Sequence, residues 1–425
     1  MTAVSALQRR TAPPPAMGIA ALAGLAYQGA DLEALRRRLA DRLARDPQDA
    51  AALLDLSILT QLAGRRAEGL ALQAEALRLA RVYRQREAEP PAPRLLVLAM
   101  PGDFMANAPI DFLLAGSPIG LDLLFVDAAS PLPEPLPEHD LALLAIGESA
   151  ESRPVLARLE PALRTWPRPV LNAAPGRIAA LARDAACRLL DGLPGLHVPP
   201  TVRVGREALV ALVAGRGSPA ALLAGAGFPV IVRPTASHAG QGLARLADAP
   251  ALAAYLAIHG DPAFFMAPFV DYRGADGFFR KYRIAVIAGR PFACHMAIAD
   301  DWMVHYLSAG MEDDAARREE EARFMADFDG DFAVRHGAAF AGLAARIGLD
   351  YFAVDCGEMP DGRLLLFEAD VAMIVHAMES AAIFPYKHVQ MRKVFGAFQA
   401  MLRNAAAAPD CNRRSAGAGR RGGRL

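Results

Sequence analysis

Three carboxylates late in the chain, Asp355, Glu368 and Asp370, have the types and spacing to hold a hard cation. Glu368 and Asp370 close the run LLLFEAD two residues apart, so on a strand both share one face while Phe367 and Ala369 take the other. Asp355 ends the run DYFAVD, and Asp361-Gly362 supplies a turn between the two runs, which brings three acids to one end of a hairpin. Unpaired, they would repel. A dication such as Mg²⁺ removes that cost and takes oxygen ligands; solvated strand-end acids are the plain alternative. Cations come earlier. Arg233 ends the apolar run FPVIV, and FFRKYRIAVIAG carries Arg280, Lys281 and Arg283, of which Lys281 and Arg283 share a face. A guanidinium fork suits phosphate or carboxylate oxygens, although isolated strand-edge charge also serves to block edge pairing. Between these cations lies SHAGQG (237–242), whose small residues leave backbone N–H groups open to cradle phosphate without forming a Walker loop.

Elements must position these groups. Residues 1–30 are expected to be a flexible N-terminus, and 31–87 a helical region rich in Ala, Leu, Arg and Glu, with RRAEGLALQAEALRLARVYRQ as its last helix. Its helical hairpin resembles a single tetratricopeptide repeat without the aromatic signature positions; a plain helical extension is the other reading. EAEPPAPR (87–94) is a linker. RLLVLAM, LDLLFVD, DLALLAIG and PVLN alternate with helical stretches, among them DFMANAPIDFLLAG, and predict a small doubly wound α/β unit over 94–195. It has no GxGxxG after its first strand, so no dinucleotide site is expected. From 196 to 404 the strands FPVIVRP, FFMAPFVDY, KYRIAVIAG, RPFACHMAI, DYFAVDCGE and GRLLLFEAD pair in part as hairpins, with turns at AGRP and MPDG. Residues 405–425 read as a disordered basic tail. The fold class is α/β.

The order of parts (cation at a strand end, glycine loop, apolar hinge strand, second cationic strand, paired acids) resembles the ATP-grasp superfamily, with the nearest likeness to glutathione-synthase-like and glutamate-ligase-like members. The resemblance spans about 94–404, on PVIVRPTASHAGQGL, FFMAPFVDY, KYRIAVIAGRPFACHMAI and DYFAVDCGEMPDGRLLLFEAD. It implies a fold with a smaller α/β unit preceding the grasp, and ATP with Mg²⁺ (or Mn²⁺) as cofactors. By the same resemblance Arg233 sits on the α and β phosphates, and Ser237, His238, Gly240, Gln241 and Gly242 form the flexible phosphate loop. Met266, Ala267, Phe269 and Val270 form the adenine hinge, Asp271 approaches the ribose, Arg283 is the catalytic cation, and Asp355, Glu368 and Asp370 hold the metal. The chain departs from the family in three places: Arg233 stands where Lys is more usual, Asp370 where Asn is, and the hinge reads APFV without an acidic residue before its aromatic.

The implied activity is ligation of a small-molecule or peptide carboxylate to an amine or thiol. A nucleotide-binding scaffold that docks a protein partner through its helical N-terminus and a kinase-like phosphotransferase are the alternatives. Composition is that of a soluble globular protein: 53% of the 425 residues are apolar and 46 basic residues balance 46 acidic ones, so no global bias toward nucleic acid exists. The apolar stretch 17–30 is too short to span a membrane. Four scattered cysteines with no CxxC suit a reducing cytoplasm. A homodimer is common in the family. Trp302, His305 and Tyr306 are candidates for an acceptor pocket, His376 and Lys387 lie near the acids in sequence, and Cys356 is expected in the core.

Overall fold

The computed structural model describes residues 13–237 and 240–408 of the chain. Four helices come first: α1 (Ile19–Tyr27), α2 (Leu32–Arg45), α3 (Ala50–Leu62) and α4 (Arg66–Leu79). Asp31 and Asp49 cap α2 and α3 by accepting the N–H of Ala34 and Ala52 at 3.0 and 2.9 Å. Two expectations change here. Residues 19–27, placed in a flexible N-terminus, form α1, because it buries Leu22 against Leu35, Leu39, Ala52 and Leu59 and hangs from two buried carboxylates. The helix expected over RRAEGLALQAEALRLARVYRQ stops at Leu79, and Val82–Arg86 is instead a strand, β1. Tyr83 is fully buried there with its hydroxyl donating to Ala76 O at 2.7 Å, and Arg84 forks onto Asp122 at 2.8 and 3.0 Å. Tertiary pairing of β-prone residues overrides the helical pattern.

Three sheets follow. The first orders β1–β3–β2–β4–β5, with β2 (Arg94–Ala99), β3 (Gly120–Phe125), β4 (Leu141–Leu144) and β5 (Val170–Leu171) parallel and β1 antiparallel at the edge. Its strands are near-continuous apolar runs, as in parallel sheets covered on both faces. In DFMANAPIDFLLAG only Ile110–Leu113 is helical. Pro109 delays the start, and Asn107 ties both the N–H and the carbonyl of Met100 at 2.8 Å, a turn that competes with helix.

The second sheet orders β7 (Val202–Gly205), β10 (Ala263–Pro268), β8 (Val230–Pro234) and β9 (Ala244–Leu246), all antiparallel, over a small core of its own that includes Leu209, Val230, Phe264 and Met266. The third orders β12 (Arg290–Ala299), β11 (Phe279–Ile287), β13 (Tyr351–Glu358), β14 (Leu364–Asp370) and β6 (Leu196–His197). The β11–β12 turn is two residues, Ala288 and Gly289, both at positive φ (49° and 77°), which matches the twist of the flanking strands. One core joins the first and third sheets and the C-terminal helix Pro385–Ala407. That helix takes in 405–407, the start of the expected tail; 409–425 lie outside the described residues. Full burial of a side chain such as Phe352 or Phe398 contributes about 2–3 kcal/mol. Asn172 adds a polar link, exchanging hydrogen bonds with the backbone of Tyr351 at 2.8 and 2.9 Å. Among the described residues no helix is long and apolar enough to cross a membrane.

Candidate active site

Residues of β8, β10, β11, β13 and β14 line one cavity of about 830 Å³; Asp355, expected at a strand end, stands inside β13, which runs on to Glu358 before the turn. Sheet register brings the acids together. Arg283 of β11 lies opposite Asp355 of β13, Asp355 lies opposite Glu368 of β14, and Ala353 lies opposite Asp370. A bulge after Asp355 shifts the β13–β14 ladder at this point.

Each acid has a different environment. Asp355 is 2% exposed and accepts a two-pronged contact from Arg283 at 2.8 and 2.9 Å and the Lys281 ammonium at 2.7 Å. Burial alone would raise its pKa; the two cations more than offset this and hold it well below the usual carboxylate range. Glu368 meets Arg183 at 2.7 Å, and its pKa is likewise lowered, burial being outweighed chiefly by that guanidinium. Asp370 has no cation among the described residues. It accepts only backbone N–H groups, from Val371 at 2.6, Ala372 at 3.3 and Glu148 at 3.4 Å. Burial first, and the Glu368 charge next, push it up to about 7.

Arg233 is the penultimate residue of β8 and is 8% exposed; among the described residues no carboxylate forms an ion pair with it, and the Glu368 charge acts on it only from further off. Burial first and the Arg183 charge next bring its guanidinium down to about 10. Its Nε donates to Ser237 Oγ at 3.2 Å and its Nη2 to Ser237 O, so the start of the glycine loop folds back onto it. Gly242 has φ +64°, and a Cβ there would lie 2.8 Å from Pro234 Cδ, so the loop needs glycine at this return.

Of the expected site residues, Arg233, Gly240, Met266, Ala267, Phe269, Val270, Arg283, Asp355, Glu368 and Asp370 line this cavity. Ser237, Gln241 and Gly242 do not, and His238 lies outside the described residues. Asp271 does not line the cavity: the strand ends at Pro268, and the Asp271 carboxylate sits exposed beside Arg273 at 3.3 Å. Among the described residues no three acids or histidines are gathered in the arrangement of a metal site, because Asp355 and Glu368 point into cations. The donor set still fits a hard dication bound with phosphate. It is all oxygen, Asp370 has no cationic partner among the described residues, and the buried Arg233 is balanced only by the Glu368 charge from beyond ion-pair distance.

Residues the pattern did not indicate complete the cavity. Arg183 arrives from the helix Arg183–Leu190, and α1 contributes Ile19, Ala23, Ala26 and Tyr27. Neither carries a local signal, since each reaches the cavity only through tertiary packing. Trp302, His305, Tyr306 and His376 also line the cavity. Lys387 is fully buried behind it, held between Glu321 at 3.1 and Glu379 at 2.9 Å. Cys356 is 1% exposed, and burial raises its thiol pKa, in keeping with a core residue.

No family model and no curated protein matches the chain. Among solved structures it is similar to a RimK domain ATP-grasp protein from Sphaerobacter thermophilus, at 19% identity and TM-score 0.40, over 73% of this chain and 99% of that one. It is similar to the VanG D-Ala:D-Ser ligase of Enterococcus faecalis at 12% identity and TM-score 0.42, over 72% and 99%. It is also similar to the D-alanine–D-alanine ligase of Bacillus anthracis, complexed with ATP, at 13% identity and TM-score 0.40, over 74% and 99%. These likenesses concern fold alone.

Proposed function

We propose that the chain is an ATP- and Mg²⁺-dependent ligase that activates a carboxylate as an acylphosphate for attack by an amine or thiol. The observation that carries the reading is charge placement. A buried guanidinium with no ion-paired carboxylate among the described residues, Arg233, faces the same cavity as three carboxylates on paired strands, and one of these, Asp370, has no cationic partner among the described residues. Arg233 and the loop beginning at Ser237 would receive the nucleotide phosphates, while Met266, Ala267, Phe269 and Val270 supply an apolar slot and main-chain groups for a base. Arg283 and Lys281 would meet the transferring phosphoryl group, and Asp355, Glu368 and Asp370 would hold the metal. Mg²⁺, when bound, neutralises phosphate charge during transfer. A substrate carboxylate oxygen attacks the γ-phosphorus and ADP leaves; the nucleophile then attacks the acyl carbon, loses a proton and releases phosphate. The protein positions the partners and excludes water that would hydrolyse the acylphosphate. ATP chemistry and the buried free thiols Cys187, Cys294 and Cys356 suit a cytoplasmic setting.

One observation favours a second reading, a nucleotide-binding regulatory protein: Asp355 and Glu368 already have cationic partners. Calorimetry of ATP with and without Mg²⁺, on wild type and Glu368→Ala, separates the readings. The ligase requires Mg²⁺-dependent binding that the variant loses, followed by ADP release with a carboxylate and an amine. Binding without turnover across a panel of acids and amines supports the regulatory reading, and absence of binding overturns both.

A further inference from the structure

The cavity has two unlike ends. At one, Met266, Ala267, Phe269 and Val270 line it from β10 and the residues just after. At the other, the wall comes from the first sheet and the N-terminal helices. Ligands of open α/β sheets gather beyond the carboxyl ends of the parallel strands. Those ends lead here: Phe104 and Met105 follow β2 and line the cavity, and Gly147, after β4, lies so close to Asp370 that a Cβ on it would stand 3.5 Å from either carboxylate oxygen. Phe112 and four residues of α1, Ile19, Ala23, Ala26 and Tyr27, continue this wall. Spaced i, i+4, i+7 and i+8, the four form one stripe, while Leu22 and Leu25 on another side of α1 pack with Leu35, Leu39 and Leu59 of α2 and α3.

The segment after β14 joins this wall to the charged centre. Arg283 Nη1 donates to Ile374 O at 3.0 Å. Two residues on, the His376 ring lies 6.2 Å from the Tyr27 ring and 5.9 Å from the Phe112 ring. Two residues of chain span at most about 7 Å, so the aromatic group starts close to the backbone that Arg283 holds. The polar atoms of this wall are already engaged or covered: Glu379 Oε1 accepts from Lys387 at 2.9 Å, Glu379 Oε2 is buried, and His376 Nδ1 accepts the Met378 N–H at 3.2 Å. At the junction the charge is positive. Arg183, Arg233, Lys281 and Arg283 stand against Asp355, Glu368 and Asp370, so one positive charge is in excess even with all three acids ionised. Lys281 and Arg283 keep 21 and 22% of their side chains accessible, whereas the Asp355 side chain keeps 3%. An entering molecule therefore meets cations first and apolar surface beyond them.

We propose that this end of the cavity is a subsite for a carboxylate with an alkyl or aryl body, its oxygens beside Arg283 and Lys281 and its body along the α1 stripe against Phe112 and Tyr27. The cations neutralise the carboxylate, and the body gains by covering apolar and aromatic surface. From Ile19 to Tyr27 the stripe rises about 12 Å, room for a chain of several carbons. As an assignment of substrate class, the acid that is activated, this rests on the ligase reading; as a binding subsite it stands apart from it. It gives the N-terminal helix a specificity role inside the cavity.

The test is calorimetry on the full chain at pH 8 with n-hexanoate, with acetate as the acid without a body, and with n-hexylamine as the same body with the opposite charge. Wild type should bind n-hexanoate at least tenfold more tightly than either. Ala26→Phe, which puts a ring into the space, should weaken n-hexanoate at least tenfold. Tyr27→Ala, at a rim residue 42% exposed, removes part of the wall without touching the core and should weaken it about threefold or more, so the subsite stays testable if the first variant misfolds. No n-hexanoate binding, acetate or n-hexylamine bound as tightly as n-hexanoate, or unchanged n-hexanoate affinity in both variants overturns the subsite. Mg-ATP titrated into the wild type separates the two readings. ATP binding without selective n-hexanoate binding removes the subsite and spares the ligase; selective n-hexanoate binding without ATP binding does the reverse.

Discussion

Replacing Asp55 by Asn tests how α1 is held over the cavity. Asp55 lies on α3, has no exposed surface, and accepts the Met17 N–H at 3.0 Å and the Gly18 N–H at 3.3 Å. Burial pushes its pKa from 3.8 to about 6, against the pull of those N–H groups and Arg42. The folded value exceeds the unfolded one, so the associated stability is fully present below about pH 3.8 and is lost as pH rises through about 6. A rise of this size amounts to about 3 kcal/mol once the titration is complete, and roughly half of this is already lost at pH 5. Asn does not titrate. The difference in local stability between variant and wild type should therefore move in favour of Asn by about 1.5 kcal/mol from pH 5 to pH 8. Native-state hydrogen exchange of the α1 amides measures it, with both proteins compared at each pH so that intrinsic exchange cancels. A difference that is the same at both pH values, or that moves toward wild type as pH rises, would refute the burial argument. Asp111, also raised to about 6 and accepting Ala20 N–H at 2.6 Å, is present in both proteins and cancels.

Two further outcomes follow from the buried ion pairs. Arg283→Met leaves Asp355 with Lys281 alone and should cost about 3 kcal/mol of stability in thermal unfolding, and Arg283→Lys should restore less than half because the two-pronged contact is gone. Lys387→Met strands Glu321 and Glu379 and should cost about 4 kcal/mol, and adding Glu321→Gln and Glu379→Gln should recover most of it in the same assay.

What the sequence makes legible is local. The strands around LLLFEAD, DYFAVD and KYRIAVIAG stand where period-two apolar runs put them, and the glycine turns fix their pairing, so the carboxylates and cations share a cavity as their spacing implies. The stretch VYRQR reads as helix in isolation because its strand identity comes from Tyr83 and Arg84 meeting partners in α4 and β3. Which cation each acid meets is also hidden. Arg183 lies 185 positions before Glu368 and joins it only through packing. The link of Lys387 to Glu321, 66 residues apart, has no pattern to announce it for the same reason.

The cavity wall begins at Ile19 and its last lining residue is Glu379, so its two ends are made far apart in time during synthesis. The helices, and the first sheet with its largely sequential strands, can form as the chain emerges, whereas β13, β14 and Lys387 come last. Contacts of such sequence separation are slow to close. Until they do, the apolar face of α1 has no opposite wall, and a nascent chain halted before residue 351 carries Arg233, Lys281 and Arg283 but none of the three acids. Such a chain carries the cations of the cavity without its carboxylates, so the charge balance of the cavity is completed only by the last strands to be made.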